Sequence, residues 1–310
     1  MKKFLKIASV TVVTIAALLV LVIILARYVF RNELRSYLEK LQGSEKVALL
    51  RKAQDYKADS VAFDFEYAAP IEKSMEIKGY FRFDTLFQAD ADTWTKTLTL
   101  ARLSALVKHD NPNPWPDSRT AIGLWEWSKN NPGGYNCRMH SILLHELLLA
   151  EGIINRVVTC MPADTTDSDC HVVNIVWLPE TNKWAMIDSD TKTYVTDEEG
   201  NVLSLQEMRE CIIADKPIHI LPLNEGDTPG DYLTFYWAKN LYYFSSIEST
   251  TYGVESPASD RSRYIYLLPD NGYKLSMRAN RQGRITTDVD RFWASPADSI
   301  LTGEVFSISE

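Results

Sequence analysis

Gly133-Gly134-Tyr135-Asn136-Cys137-Arg138-Met139-His140 opens the stretch that decides the fold. Two β-like runs complete it, Asp169-Cys170-His171-Val172-Val173-Asn174 and Lys183-Trp184-Ala185-Met186-Ile187-Asp188. Between them Ser141 to Ala150 is apolar on nearly every side, which reads as a buried helix, and Gly152 suits the left-handed position that ends one. A thiol after a glycine-bearing loop and at a helix start sits where backbone N–H groups and the helix dipole favour negative charge. Asn155 to Met161, Cys170 to Trp177 and Lys183 to Asp188 are rich in Val, Ile and Trp and read as strands. Pro179-Glu180-Thr181-Asn182 reads as the turn joining the last two. If Leu178 faces Thr181 across it, His171 falls directly opposite Asp188, and both point to one sheet face. A buried helix packed on that face would bring Cys137 towards them. The expected fold class is therefore α+β, a Cys-bearing helix on an antiparallel sheet.

Cys137, His171 and Asp188 in that order offer a nucleophile, a base and a carboxylate that orients it. His140 competes for the role of base, lying one helical turn from Cys137, but it lacks a carboxylate in sequence. His145, mid-helix, and His109 and His219 elsewhere belong to no constellation and read as structural or exposed. A zinc site from Cys137, His140, Cys160, Cys170 and His171 lacks the short paired spacings of metal sites, so no metal and no cofactor is expected. No phosphate-binding glycine loop is present. A net charge of −8 argues against a nucleic-acid partner.

These residues resemble the transglutaminase-like superfamily, whose papain-like core uses a Cys-His-Asp triad. The similarity spans roughly Asp92 to Ile213. It rests on Asn136-Cys137-Arg138, Ala150-Glu151-Gly152-Ile153, Val158-Thr159-Cys160-Met161-Pro162, Asp169 to Asn174 and Lys183-Trp184 leading to Asp188. Asp197 to Asn201 with Leu203 to Glu207 looks like the stretch downstream of the triad in bacterial members. The resemblance implies Cys137 as nucleophile, His171 as general base and acid, and Asp188 as orienting carboxylate. It implies acyl transfer from an amide or peptide bond, with hydrolysis favoured over amine transfer. Such family members often continue from the aspartate with Pro-Thr. Here Ser189-Asp190 stands in that place, and Asp190 is a second carboxylate that could compete for His171. A non-catalytic binding or assembly module on the same fold is the alternative.

Further out, Ile7 to Ala26 is an uncharged apolar run long enough to cross a bilayer, flanked by Lys2, Lys3, Lys6 and Arg27. It reads as a single-pass signal-anchor, with a cleaved signal peptide as the alternative. The short basic tail favours the large domain outside the cytoplasmic membrane, although positive charges nearly balance across the run. The expected order is an anchor over 1–30, a helical and mixed segment over 31–90, the transglutaminase-like core over 91–225, and an aromatic-rich helix and β extension over 226–310. Thr93 to Lys108 reads as a helix, Asp117-Ser118 caps another, and Ser204 with Glu207 forms a capping box. Asn111 to Pro116 is a rigid loop, either a connector or a cleft border. Tyr232, Phe235, Tyr236, Trp237, Tyr242, Tyr243 and Phe244 read as core or as an aromatic wall for a ligand. Arg263 to Leu268, closed by Pro269 to Gly272, reads as hairpin material.

Overall fold

The computed structural model of the protein describes residues 18–22, 43–88, 90–112, 114–255, 261–275 and 283–296. Contacts divide the chain into two units, Met1–Lys46 and Val47–Glu310. Most of the apolar run Ile7 to Ala26, and residues 31–42 of the mixed segment expected after it, lie outside the described residues. Within the run, 18–22 are helical with exposed side chains. Among the described residues no helix is long and apolar enough to cross a membrane.

The second unit is mixed α+β. Its helices include α1 (Ile71–Phe81), α2 (Thr93–Ser104), α3 (Ala121–Asn130), α4 (Cys137–Ala150), α5 (Leu205–Ile213), α6 (Leu233–Asn240) and α7 (Val289–Phe292). The strands are β1 (Glu66–Tyr67), β2 (Asn155–Met161), β3 (His171–Leu178), β4 (Lys183–Asp188), β5 (Thr193–Thr196), β6 (His219–Pro222), β7 (Tyr243–Ile247), β8 (Ser249–Thr250), β9 (Tyr264–Leu267) and β10 (Arg284–Thr286). Eight of them form one sheet in the order β10-β9-β7-β2-β3-β4-β5-β6, antiparallel except for the β9–β10 pair. The run Arg263 to Leu268 is therefore not half of a hairpin. Its strand, β9, pairs antiparallel with β7 and parallel with β10.

Helix α4 is apolar all round because it is covered all round. It packs on β2 and β3 on one side and on α1, α2 and α3 on the other. Its end obeys the expected chemistry. Gly152 is left-handed at φ 78°, and the Gly152 and Ile153 N–H groups close back onto Leu149 and Leu148. Ser204 and Glu207 form the expected capping box of α5, each satisfying the other's backbone N–H. Helix α3 starts later than expected, because Thr120 rather than Asp117 or Ser118 accepts from the first turn, at Gly123 N–H. Helix α2 ends at Ser104, short of Lys108.

Two corrections concern register. The β3–β4 pairing sets Leu178 opposite Lys183 and Asn174 opposite Ile187, so all four residues Pro179 to Asn182 form the loop, with Asn182 left-handed at φ 52°. His171 and Asp188 are thus diagonal rather than directly opposite. A shift of two residues preserves the side-chain face, so they still share one. That face is not the one beneath α4. Val176, Ala185 and Ile187 meet the helix layer, whereas Val173, Ile175, Trp184 and Met186 alternate into a second core with Trp237, Tyr243 and Phe244. His171 and Asp188 fall with the second set. Cys137 reaches them because all three lie at one end of the sheet, where β3 begins, β4 ends and α4 starts.

Candidate active site

Asn136 sets the position of the thiol. Its backbone is extended, and its side chain accepts from the Met139 N–H at 3.3 Å, which makes Cys137 the first residue of α4. The Cys137 N–H has no intrahelical acceptor at that position and points the helix's positive end at the cleft. Gly134 before it, at φ 99°, lies so close to the 108–110 segment that a Cβ would stand 1.8 Å from the Lys108 carbonyl oxygen. That approach lets Tyr135 N–H donate to Lys108 and Asp110 N–H donate to Tyr135. Arg138 anchors the first turn from the other side, donating to Glu255 at 3.0 Å and to Thr159 Oγ1 at 2.8 Å.

His171 Nε2 donates to Asp188 Oδ2 at 2.6 Å, and both side chains are almost wholly buried. Tyr236 and Trp237 meet the imidazole edge-on at 5.3 Å each and fix its plane. Asp188 is held in turn. Its Oδ1 accepts from the N–H groups of Asp190 and Thr191, and its Oδ2 also accepts from the Thr191 hydroxyl. Burial pushes the Asp188 carboxyl up, but the His171 charge and the bonds from His171 and Thr191 outweigh it and leave it below the ordinary carboxylate range. Burial pulls His171 down, while Asp188 and the nearby Cys137 side chain drive it well above its usual value. With Nε2 held by Asp188, Nδ1 is the ring nitrogen left to face the thiol. The three residues singled out in the sequence therefore meet.

Asp190 does not compete for that histidine. Its Oδ1 lies 2.7 Å from His109 Nδ1 and 3.5 Å from His140 Nε2. His140 is buried against the Tyr135 ring, and burial pulls it below its ordinary value, the nearby Asp190 charge notwithstanding. It is poorly placed to be the base. His145 is also buried, its Nδ1 2.7 Å from Asn155 Oδ1, whereas His219 is exposed on β6. Cys137, His171 and Asp190 each offer a metal-ligand atom, and those atoms lie within 4.8 Å of one another. This donor set differs from the zinc set considered in the sequence: Asp190 enters, while His140, Cys160 and Cys170 drop out.

A cleft of about 740 Å³ opens over these groups. His109, Asn111 and Trp115 line one part, Ser168 to Val172 another, and Tyr232 and Tyr236 a third. Of the loop expected over 111–116, Asn111 and Trp115 border the cleft. The aromatic cluster divides between both of its readings: Trp237, Tyr242, Tyr243 and Phe244 are buried in the core, whereas Tyr232 and Tyr236 face the cleft. Lys239 ties Asp167 and Asp169 to α6, and Tyr236 donates to Asp169, so that wall is braced. His109 is the residue the sequence reading passed over. Its signal lies in Gly134, whose contact with Lys108 brings the neighbouring imidazole to the site. All four cysteines are free, and Cys137 is half-buried in the cleft wall.

No family model and no curated protein matches the chain. Among solved structures it is similar to a protein from Cytophaga hutchinsonii provisionally named a cysteine protease, at 16% identity and a TM-score of 0.29. The match covers 51% of this chain and 55% of that one, so it spans little more than half of that protein's length. At that level the likeness establishes neither fold nor activity, and the functional reading rests on the cleft itself.

Proposed function

We propose that the chain is a thiol-dependent acyl-transfer enzyme of the transglutaminase-like kind, acting on an amide or peptide bond, with water as the favoured acceptor. The single observation that carries this reading is the buried 2.6 Å His171–Asp188 bond, with the Cys137 sulfur within 4.8 Å of the same imidazole. Cys137 Sγ attacks the carbonyl carbon while its proton goes to His171 Nδ1. The C–N bond then breaks, His171 returns the proton to the leaving amine, and a thioester remains on Cys137. Water deprotonated by His171 attacks the thioester, releasing the acid and restoring the thiol. Asp188 keeps Nε2–H in place and stabilises the imidazolium at each protonated stage. The Cys137 N–H is the natural donor to the developing oxyanion.

The other reading, a binding module without catalysis, expects an occluded or disulfide-bonded Cys137, and a free thiol on a cleft wall speaks against it. The test is labelling with a panel of thiol-reactive peptide and amide probes, with the modified residue mapped. Iodoacetamide at mildly acidic pH gives the companion measurement. Burial pushes the thiols of Cys160, Cys170 and Cys211 up, Cys160 most of all, so Cys137 reacts first. Equal labelling of all accessible cysteines sinks the proposal. The apolar run Ile7 to Ala26 adds a membrane anchor with the catalytic unit on the outer side. Deleting the residues before Asn32 should release the protein from membranes, and a truncated chain that still partitions with them refutes the anchor.

A further inference from the structure

We infer that Cys137, His171 and Asp190 form a binding site for a borderline-soft divalent cation of the Zn²⁺ class, and that the ion shuts the enzyme off when bound. Three donors of the right chemistry converge, their ligand atoms within 4.8 Å of one another. Ligands about 2.0–2.3 Å from a tetrahedral zinc stand roughly 3.3–3.7 Å apart, so closure needs side-chain movements of about 1 Å. A thiolate with an imidazole selects against Mg²⁺ and Ca²⁺, which prefer oxygen.

The supporting groups are those such a site requires. A ligating histidine normally gives its other ring N–H to a carboxylate, and His171 Nε2 already donates to Asp188 at 2.6 Å. A ligating carboxylate is itself steadied by a neighbour. His109 Nδ1 holds Asp190 Oδ1 at 2.7 Å, with His140 behind it at 3.5 Å, leaving Oδ2 for an ion. The fourth position faces the cleft, where water completes a tetrahedron. Binding forms an Sγ–metal bond, and the Cys137 proton leaves to solvent. His171 contributes its Nδ1 lone pair. The ion thus occupies both the nucleophile and the base, and no acylation proceeds until it leaves. The inhibitory half of this inference rests on the function proposed above; the binding half does not.

The experiment uses the full chain, stripped of metal with a chelator and titrated with Co²⁺. One equivalent should give a thiolate-to-cobalt charge-transfer band with tetrahedral visible absorption, displaced by Zn²⁺. Zn²⁺ should also protect Cys137 from iodoacetamide in the unmutated protein, a readout that needs no variant to fold. Cys137→Ser should abolish the charge-transfer band. His109→Ala should weaken Co²⁺ binding about 10–100-fold, the usual cost of losing a ligand's hydrogen-bond partner, and Asp190→Asn at least as much. Cys211→Ser, on α5 and outside the cleft, should change nothing. Melting curves of each metal-free variant establish that it is folded. Absence of the band, or wild-type affinity in Asp190→Asn, overturns the site. If a probe acylates Cys137 and Zn²⁺ does not protect it, the inference fails while the enzyme reading stands. If Co²⁺ binds as described and no probe acylates metal-free Cys137, the site stands and the enzyme reading fails.

Discussion

Two imidazole–carboxylate pairs flank Cys137, and they differ in almost everything but their length. His171–Asp188, at 2.6 Å, has both members buried, the ring fixed by two aromatic edges and the carboxylate taking bonds from Asp190, Thr191 and His171. His109–Asp190, at 2.7 Å, joins a buried carboxylate to a ring that is about half exposed at the cleft rim. The carboxylates are neighbours in the chain, yet only one holds the imidazole that touches the thiol. A short bond to a carboxylate is therefore not the mark of the base. On the proposed mechanism the mark is burial of the whole pair beside the thiol, because a low-dielectric site makes the charge coupling strong.

The largest difference should appear between the histidines. His171→Ala should lower turnover of a probe substrate about 10²–10⁴-fold, since thiol activation and leaving-group protonation go together. His109→Ala should cost no more than about tenfold, which is about 1.4 kcal/mol of barrier. Single-turnover acylation rates of both variants measure this. A larger loss in His109→Ala would exchange the roles of the two pairs.

The carboxylates come next. Asp188→Asn leaves the imidazole present but unsteered and its charged form less stabilised, so it should lose more activity than Asp190→Asn yet less than His171→Ala. Matched melting temperatures are required, because both side chains are nearly inaccessible. Greater damage at Asp190 would mean that the Ser189-Asp190 sequence has shifted the functional carboxylate along the turn.

Much of this site is legible in the sequence because its parts are short and periodic. β2 and β4 span the residues their Val, Ile and Trp content indicates, and β3 begins one residue later than expected. The Cys137 helix announces itself through the glycine-bearing loop before it, its apolar run and Gly152. Register is less legible, since Pro179 to Asn182 is compatible with more than one loop, and only the left-handed Asn182 settles that all four residues turn. The period of two hides that error, because His171 and Asp188 keep a common face under either pairing. Which face the helix covers is not written in the strands at all, as both faces of β3 and β4 are apolar. The His109–Asp190 pair is least legible. It joins segments 81 residues apart through an irregular stretch, and no local pattern encodes it.

Stability separates the two pairs as well. Asp188→Ala strands a buried imidazole and should cost about 3–5 kcal/mol. His109→Ala breaks a pair with one half-exposed member and should cost about 0–1 kcal/mol. The inner pair sets a pH window. The Asp188 carboxyl is depressed in the fold, so its contribution is present above the ordinary value of about 4 and is lost as pH falls through the depressed one. His171 is raised well above about 6.5, so its contribution is complete below that value and is lost as pH rises through the raised one. Urea unfolding across a pH series should therefore find the gap between wild type and Asp188→Ala widest between about pH 4 and 6.5, closing at strongly acid and at alkaline pH. A gap that stays level as pH rises well past 6.5 would mean that His171 is neutral in the fold. The pair would then be an ordinary buried hydrogen bond rather than a charged couple.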